Sequence, residues 1–500
     1  MGIKNRYVQL KLNSIASILS QIVTLFCGFI LPKLIIDNYG SAVNGLVASI
    51  TQFLGVISLC ELGMGAVIPA SLYKPLSEKN NDQISCIVLS SQRFYRKIAI
   101  VMIIYVFGLT IFYPLLVDKF SFLYTSSLIL IIASSTFAQY FFGITYSLLI
   151  TADQKQYLTY IINIITVLVN LVLSYILIKC EFSIQVVKFV SAAIYVCRPF
   201  FYSYYVKTHY NLNLSITYTI EPIKQKWNGI AQHIAYTIQE KSGIVVLSFM
   251  STLIDVSIYS IYYLILEGIR GFIYSVTSSL TSFLGNIIVS EDKEKLCSYF
   301  NGIEWGLHNI TMLILSSTTV LIVPFIRVYT LNISDANYII PVFPYIMCAM
   351  TICRCLQMPY NVVVQAAGHF KQTQKSAIIE PIINISIYII LVKYLSLTGV
   401  AIGMFVSMLY RMVYLSYYLT KNILKINRKI LIKRFFVDII IIILVVLLGS
   451  FIEMNDISYI AWGLMACKVL IISIFITLLI NFVFYRDMTI HLVYKLFLRK

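Results

Sequence analysis

NGIAQHIAYTIQEKSGIVVLSFMSTLIDVSIYSIYYLILEGIRGFIYSVTSSLTSFLGNIIVS, residues 228–290, decides how the rest of the chain is read. It predicts two long apolar helices, Asn228–Ser251 and Asp255–Val289, joined by Thr252, Leu253 and Ile254. Each carries charge far from its ends: Glu240 and Lys241 on the first, Glu267 and Arg270 on the second. A charge at bilayer depth costs roughly 2.5–3.5 kcal/mol on insertion scales, so it faces a bundle interior or a wet cavity rather than lipid. Glu267 and Arg270 are three residues apart, on one helical face, and can pair. Glu240 and Lys241 are adjacent and point about 100° apart, so each needs a partner on another helix. Two readings compete: a structural ion-pair network, and a polar cavity that receives a charged substrate.

Outward from that stretch the chain keeps the same character. Its 500 residues are 59% hydrophobic and only 12% charged, with a mean hydropathy of +0.85. A bilayer-crossing helix needs about 20 apolar residues, and the chain supplies such runs almost end to end. The pattern therefore predicts an all-α polytopic membrane protein. The runs are too long for a β-barrel, whose strands alternate in short segments. The first apolar run has no small-residue cleavage site, and is expected to be a span rather than a cleaved signal.

A net charge of +17 suggests nucleic acid at first sight. The basic residues are scattered over loops, where they report orientation instead, and no nucleic-acid partner is expected. Placing the N-terminus inside puts roughly 26 of the Lys and Arg residues in cytoplasmic loops and tails, against about six outside. Both termini are then cytoplasmic. The largest inner clusters are Lys421, Lys425, Arg428, Lys429, Lys433 and Arg434, and the tail residues Arg486, Lys495, Arg499 and Lys500. They are read as topology determinants that also attract anionic lipid headgroups. The ten cysteines contain no CxxC pair, and neither a disulfide framework nor a metal site is expected.

About fourteen transmembrane helices are predicted. Residues 1–206 form an N-terminal six-helix lobe, in which span two runs from Val43 to about Tyr73. Residues 207–227 form a cytoplasmic linker and residues 228–420 a C-terminal six-helix lobe. A basic linker at 421–434 leads to a helix pair and basic tail at 435–500. A shift of about 214 residues lays Tyr146 on Tyr360, Ala152 on Ala366, Asn170 on Asn384 and Lys179 on Lys393. Arg198 falls one residue out of register with Arg411. With six spans per half, the repeat is parallel and makes the lobes pseudo-symmetric, as in rocking transporters.

No P-loop, nucleophile elbow, HExxH or phosphate-cradling glycine loop is present. The buried charges are the remaining functional signal. Beyond the opening stretch they are Lys33, Arg198, Arg354, Arg411 and Lys468, with Glu61, Glu304 and Glu380 nearer span ends. Arg198 and Arg411 lie close enough to a helix end to snorkel. Surplus positive charge suits an anionic ligand, and guanidinium binds phosphate oxygens bidentately.

ELGMG (61–65) with LYKPLSEK (72–79), LLITADQK (148–155), IQEKSG (238–243), AAGHFK (366–371) and EPIIN (380–384) occur in order along the first twelve spans. In these motifs the chain resembles Wzx-type polysaccharide flippases of the multidrug/oligosaccharidyl-lipid/polysaccharide (MOP) exporter superfamily, to which lipid II flippases also belong. The resemblance implies two lobes forming a V around a central cationic cavity. It also implies transport of an undecaprenyl-pyrophosphate-linked oligosaccharide from the inner to the outer leaflet of the bacterial cytoplasmic membrane, for O-antigen, capsule or exopolysaccharide assembly. A polysaccharide polymerase and chain-length regulators would be partners. In one respect the chain departs from the lipid II flippases, which cluster arginines on spans one and two: here span one offers only Lys33 and the core of span two none.

On this reading Arg270 is the first choice for the pyrophosphate contact, then Lys241, Lys33 and Arg354, with Arg198 and Arg411 as further cavity cations. Glu240 and Glu267 would hold those cations in the empty state or couple an ion. No cofactor is expected; the drive would be the membrane potential or a proton or sodium gradient. A cation-coupled drug exporter of the same fold is the alternative. A membrane glycan polymerase or ligase would show a large external loop, and the chain's external loops are short. The expectation is therefore a transporter and not an enzyme.

Overall fold

The computed structural model describes residues 3–490 apart from 214, 217, 219–220, 224–229 and 290–292. Lys495, Arg499 and Lys500 of the expected basic tail, the end of the first linker, and Asn228 lie outside the described residues. Every regular element among them is helical. Contacts divide the chain into two compact units, Met1–Ser257 and Ile258–Lys500.

Unit 1 holds α1 (Ile3–Tyr39), α2 (Ser41–Gly55), α3 (Met64–Glu78), α4 (Asn81–Phe112), α5 (Phe122–Ala138), α6 (Ile144–Ala152), α7 (Tyr157–Lys179), α8 (Ile184–His209) and α9 (Ile230–Met250). The division falls in the first turns of α10 (Leu253–Val289). Unit 2 continues with α11 (Lys293–Tyr329), α12 (Phe343–Leu356), α13 (Met358–Ala366), α14 (Phe370–Leu395), α15 (Leu397–Tyr418), α16 (Lys429–Gly449) and α17 (Tyr459–Phe484).

Helix starts follow local chemistry. The Asn80 side chain accepts from the Gln83 amide at 3.0 Å, and that of Ser458 from the Ala461 amide at 3.1 Å, each satisfying a donor the helix leaves open. The predicted second span, from Val43 to about Tyr73, is not one helix. It tightens over Val56–Glu61 and breaks at Leu62 and Gly63, both left-handed. Glycine adopts that conformation without steric cost. Beyond it α3 starts afresh, so the crossing is Ser41–Glu61.

Among the described residues eleven helices are long and apolar enough to cross a membrane. Three segments expected to cross fall short of that measure, for visible reasons. In α9, Gln232, His233, Gln239, Glu240 and Lys241 dilute the apolar run. The α12–α13 segment is split at Gln357, ahead of Pro359. In α16, Lys433, Arg434 and Asp438 crowd one end.

Interior packing combines apolar cores with small polar side chains, which let membrane helices approach closely and hydrogen-bond across. In unit 1, Leu46, Ile50, Leu128, Leu149 and Val187 are fully buried. There Asn44 donates to Ser257 at 2.8 Å, Ser49 and Ser248 share a hydrogen bond, and Asn163 donates to Ser20 at 2.9 Å. Gly45 lies against the backbone of Leu253: a Cβ there would stand 1.8 Å from its carbonyl oxygen. In unit 2, α17 is fastened to α11 by Trp305 donating to Asn481 (2.7 Å) and Ser473 to the Leu313 carbonyl (3.0 Å).

The predicted repeat has a counterpart in element order. A π-turn at Gln139–Gly143 separates α5 from α6, and Gln357 separates α12 from α13. Each broken helix is followed by a helix pair, α7–α8 and α14–α15.

The first linker is more than a surface strap. Tyr210 donates to Asp153 at 2.6 Å, the Asn213 amide to Ser85 at 3.0 Å, and Ser90 to Glu221. Ile223 is fully buried in the unit 1 core. Burial, reinforced by the Asp153 carboxylate, pushes the Tyr210 phenol well above its usual range.

Candidate functional site

The predicted face of α10 forms as its spacing requires. Glu267 Oε2 takes Arg270 Nη2 at 2.6 Å and Nε at 2.8 Å, one helical turn away. The same carboxylate then accepts from Arg354 Nη1 of α12, through Oε1, at 2.5 Å. One carboxylate thus serves two guanidiniums, and the trio carries one positive charge in excess. Arg354 is 5% exposed, whereas Glu267 and Arg270 are 23% and 18% exposed. The deep arginine anchors the carboxylate and the shallower one remains reachable.

The line of charge continues through unit 2. Arg354 and Arg411 both act electrostatically on the half-buried Glu380 of α14, with Arg411 Nε 3.7 Å from its carboxylate. Arg411, on α15, also donates to Ser376 and to the Thr373 carbonyl (3.4 Å). Alternating cations and acids therefore run Arg270, Glu267, Arg354, Glu380, Arg411, three positive against two negative. Arg411 is embedded between α14 and α15 and only 8% exposed.

The other expected site residues lie in unit 1. Arg198 of α8 donates to Thr166 of α7 at 2.7 Å, with its guanidinium 4.4 Å from the Tyr195 ring centroid. Lys33 is paired with Asp37 one turn along α1, at 2.7 Å. Glu240 and Lys241 are half-buried on α9. The Lys241 ammonium end lies where α2 has Gly55: a Cβ there would stand 3.1 Å from Cε and 3.2 Å from Nζ. Lys468 is exposed on α17.

A second buried constellation in unit 2 escaped the sequence. His308 Nδ1 meets Asp438 Oδ2 at 2.7 Å, and its Nε2 meets the Tyr360 hydroxyl at 3.1 Å. Tyr360 lies 2.7 Å from Glu304 Oε1, and Glu304 Oε2 faces Arg434 Nη1 at 3.2 Å. Arg434 Nη2 donates to Asn301. The basic run read as facing water and lipid thus contains one residue, Arg434, that is 2% exposed. The signal was present as spacing: Glu304 and His308 are four apart on α11, as are Arg434 and Asp438 on α16, so that acid meets base at both levels. In unit 1 the counterpart is smaller, with Tyr140 donating to Glu61 at 2.5 Å. Among the described residues no group of three or more His, Cys, Asp and Glu side chains is placed to hold a metal ion.

No protein-family model matches the chain, and no curated protein matches it by sequence. Solved structures do. A structure of the lipid II flippase MurJ, in an inward closed conformation, superposes with a TM-score of 0.70 over 95% of this chain and 99% of that one, at 16% identity. An inward-facing multidrug resistance MATE family transporter of the MOP superfamily gives 0.64 over 82% and 98%, at 13% identity. A MOP superfamily transporter from Pyrococcus furiosus gives 0.51 over 85% and 97%, at 12% identity. The chain therefore has the all-helical fold seen in these membrane transporters, over nearly the whole of each.

Proposed function

We propose that this protein flips an undecaprenyl-pyrophosphate-linked oligosaccharide from the inner to the outer leaflet of a bacterial cytoplasmic membrane, by alternating access, for surface polysaccharide assembly. The observation that carries the reading is the shared carboxylate: Glu267 holds Arg270 and Arg354 together and leaves one net positive charge. A pyrophosphate can take the place of Glu267 on the reachable Arg270, whose planar fork matches two phosphate oxygens. The chain's resemblance in sequence to Wzx-type flippases and the likeness in fold to MurJ support the same choice.

Both termini lie in the cytoplasm on this reading, and the cargo leaves a negative interior. About two negative charges crossing the full potential are worth roughly 5 kcal/mol at 100 mV, enough to drive flipping with no nucleotide. The likeness to a multidrug resistance MATE family transporter favours one second reading, a cation-coupled drug exporter.

Arg270→Ala separates them. Export of the lipid-linked glycan should be lost at normal membrane levels of the protein, and Arg270→Lys should be partly defective because a point charge lacks the fork. Export unchanged in Arg270→Ala, with drug resistance altered, would move the assignment to the exporter.

A further inference from the structure

The second constellation poses a counting problem. Asp438, His308, Tyr360 and Glu304 are joined by three hydrogen bonds in series, at 2.7, 3.1 and 2.7 Å. Each bond needs a hydrogen between its two heavy atoms. Ionised carboxylates bring none, tyrosine brings one, and neutral imidazole brings one. Two hydrogens cannot fill three bonds. Turning the imidazole over exchanges its nitrogens and leaves the count unchanged, since both are engaged.

Charge gives the same answer independently. Glu304, Asp438 and Arg434 sum to one negative charge, in a cluster whose members are 1%, 7% and 2% exposed, with His308 at 3% and Tyr360 at 0%. An unbalanced buried charge costs several kcal/mol, and one added proton removes the imbalance. Among the described residues no second cation is paired with the cluster's carboxylates. From α11 itself comes Glu304, from α13 Tyr360, and from α16 Asp438 and Arg434. Asn481 of α17 engages Trp305, and Tyr485, just past α17, faces Arg434, Asp438 and Glu304. On α12 the charged group is Arg354, which is committed to Glu267.

We propose that Asp438, His308, Tyr360 and Glu304 form a buried binding site for one proton, and that this proton ties α16 to α11 and α13. It resides on His308 as the imidazolium, donating to Asp438 and Tyr360, or on a carboxyl at either end of the chain. In each arrangement the hydrogens number three and the cluster is neutral. The inference is independent of what cargo the protein carries.

Nitrogen NMR of the full-length protein in nanodiscs near neutral pH, with 15N-labelled histidine, reads the site directly. Replacing His209, His233, His369 and His491 leaves His308 as the single signal. The expected result is either two N–H nitrogens on His308, or one bare nitrogen together with an infrared carboxylic C=O band that disappears in Glu304→Gln or Asp438→Asn. A bare nitrogen on His308 with no carboxylic band sensitive to either substitution overturns the proposal.

Discussion

Unit 2 holds two charged clusters built from similar parts and arranged to opposite effect. Around Glu267 the cations outnumber the acid, and two of the three side chains retain contact with the surroundings. Around Glu304 and Asp438, acids outnumber the fixed cation and every member is sealed. On the proposed function, the first arrangement offers its surplus charge to an anionic headgroup. The second consumes its charge internally, and on the proposed function the difference between them is that between a site for cargo and a joint between helices. Both are ion-pair clusters within helices that cross or line the membrane, so buried charge alone does not mark function. Imbalance together with exposure is what the proposed cargo site has and the sealed cluster lacks.

The largest effect should come from breaking the sealed cluster. Arg434→Ala strands Glu304 at 1% exposure, and leaving one partner of a buried pair costs about 3–5 kcal/mol. Thermal unfolding in detergent should show a marked fall in midpoint and a lower yield. Arg270→Ala should unfold close to the parent, because Glu267 keeps Arg354 and is itself 23% exposed. Equal destabilisation in the two variants would erase the distinction and make the Glu267 cluster structural as well.

A smaller effect sharpens the other side. In Glu267→Gln the two guanidiniums lose their internal anion, so a phosphate no longer has to displace it. Charged hydrogen bonds contribute about 1.5–3 kcal/mol each, and part of that should reappear as affinity, about tenfold or 1.4 kcal/mol. Titration with a soluble pyrophosphate headgroup analogue should show tighter binding and slower release. Weaker binding would mean that Glu267 positions the arginines for the ligand and does not compete with it.

How much of this was legible follows from what kind of signal each feature leaves. Spans are legible because twenty apolar residues are a long pattern, and the Glu267–Arg270 pair because it is local. Arg354 joining them is not, since no spacing links α10 to α12. The end of the second crossing hid in one glycine, Gly63, inside an otherwise apolar run. Arg434 was misread because six basic residues in a row of fourteen look like a loop; four of them sit on or beside the first turns of α16, and one turns inward. The repeat was legible in a handful of aligned residues, and its meaning only in the contacts they make.

Those contacts yield the finest comparison, between α7–α8 in unit 1 and α14–α15 in unit 2. The shift that pairs Asn170 with Asn384 also pairs Thr166 with Glu380, the residues that receive Arg198 and Arg411. One arginine is held by a hydroxyl and the Tyr195 ring, the other by a carboxylate, a serine and a carbonyl. If the two positions are equivalent, they should tolerate exchange. Thr166→Glu places a carboxylate opposite Arg198, where attraction and the cost of burying the new charge oppose one another. Glu380→Thr leaves Arg411 its bonds to Ser376 and Thr373 and removes a half-buried carboxylate. Thr166→Glu should shift stability by about 1 kcal/mol or less, because its opposed contributions nearly cancel, whereas Glu380→Thr takes the counter-charge from a buried arginine and should cost more, up to about 3–5 kcal/mol. Unfolding measurements on both, with Thr166→Gln as the uncharged control, decide it. Thr166→Glu failing to fold where Thr166→Gln succeeds would mean that the carboxylate finds no guanidinium in unit 1, and that the repeat aligns helices without aligning their charges.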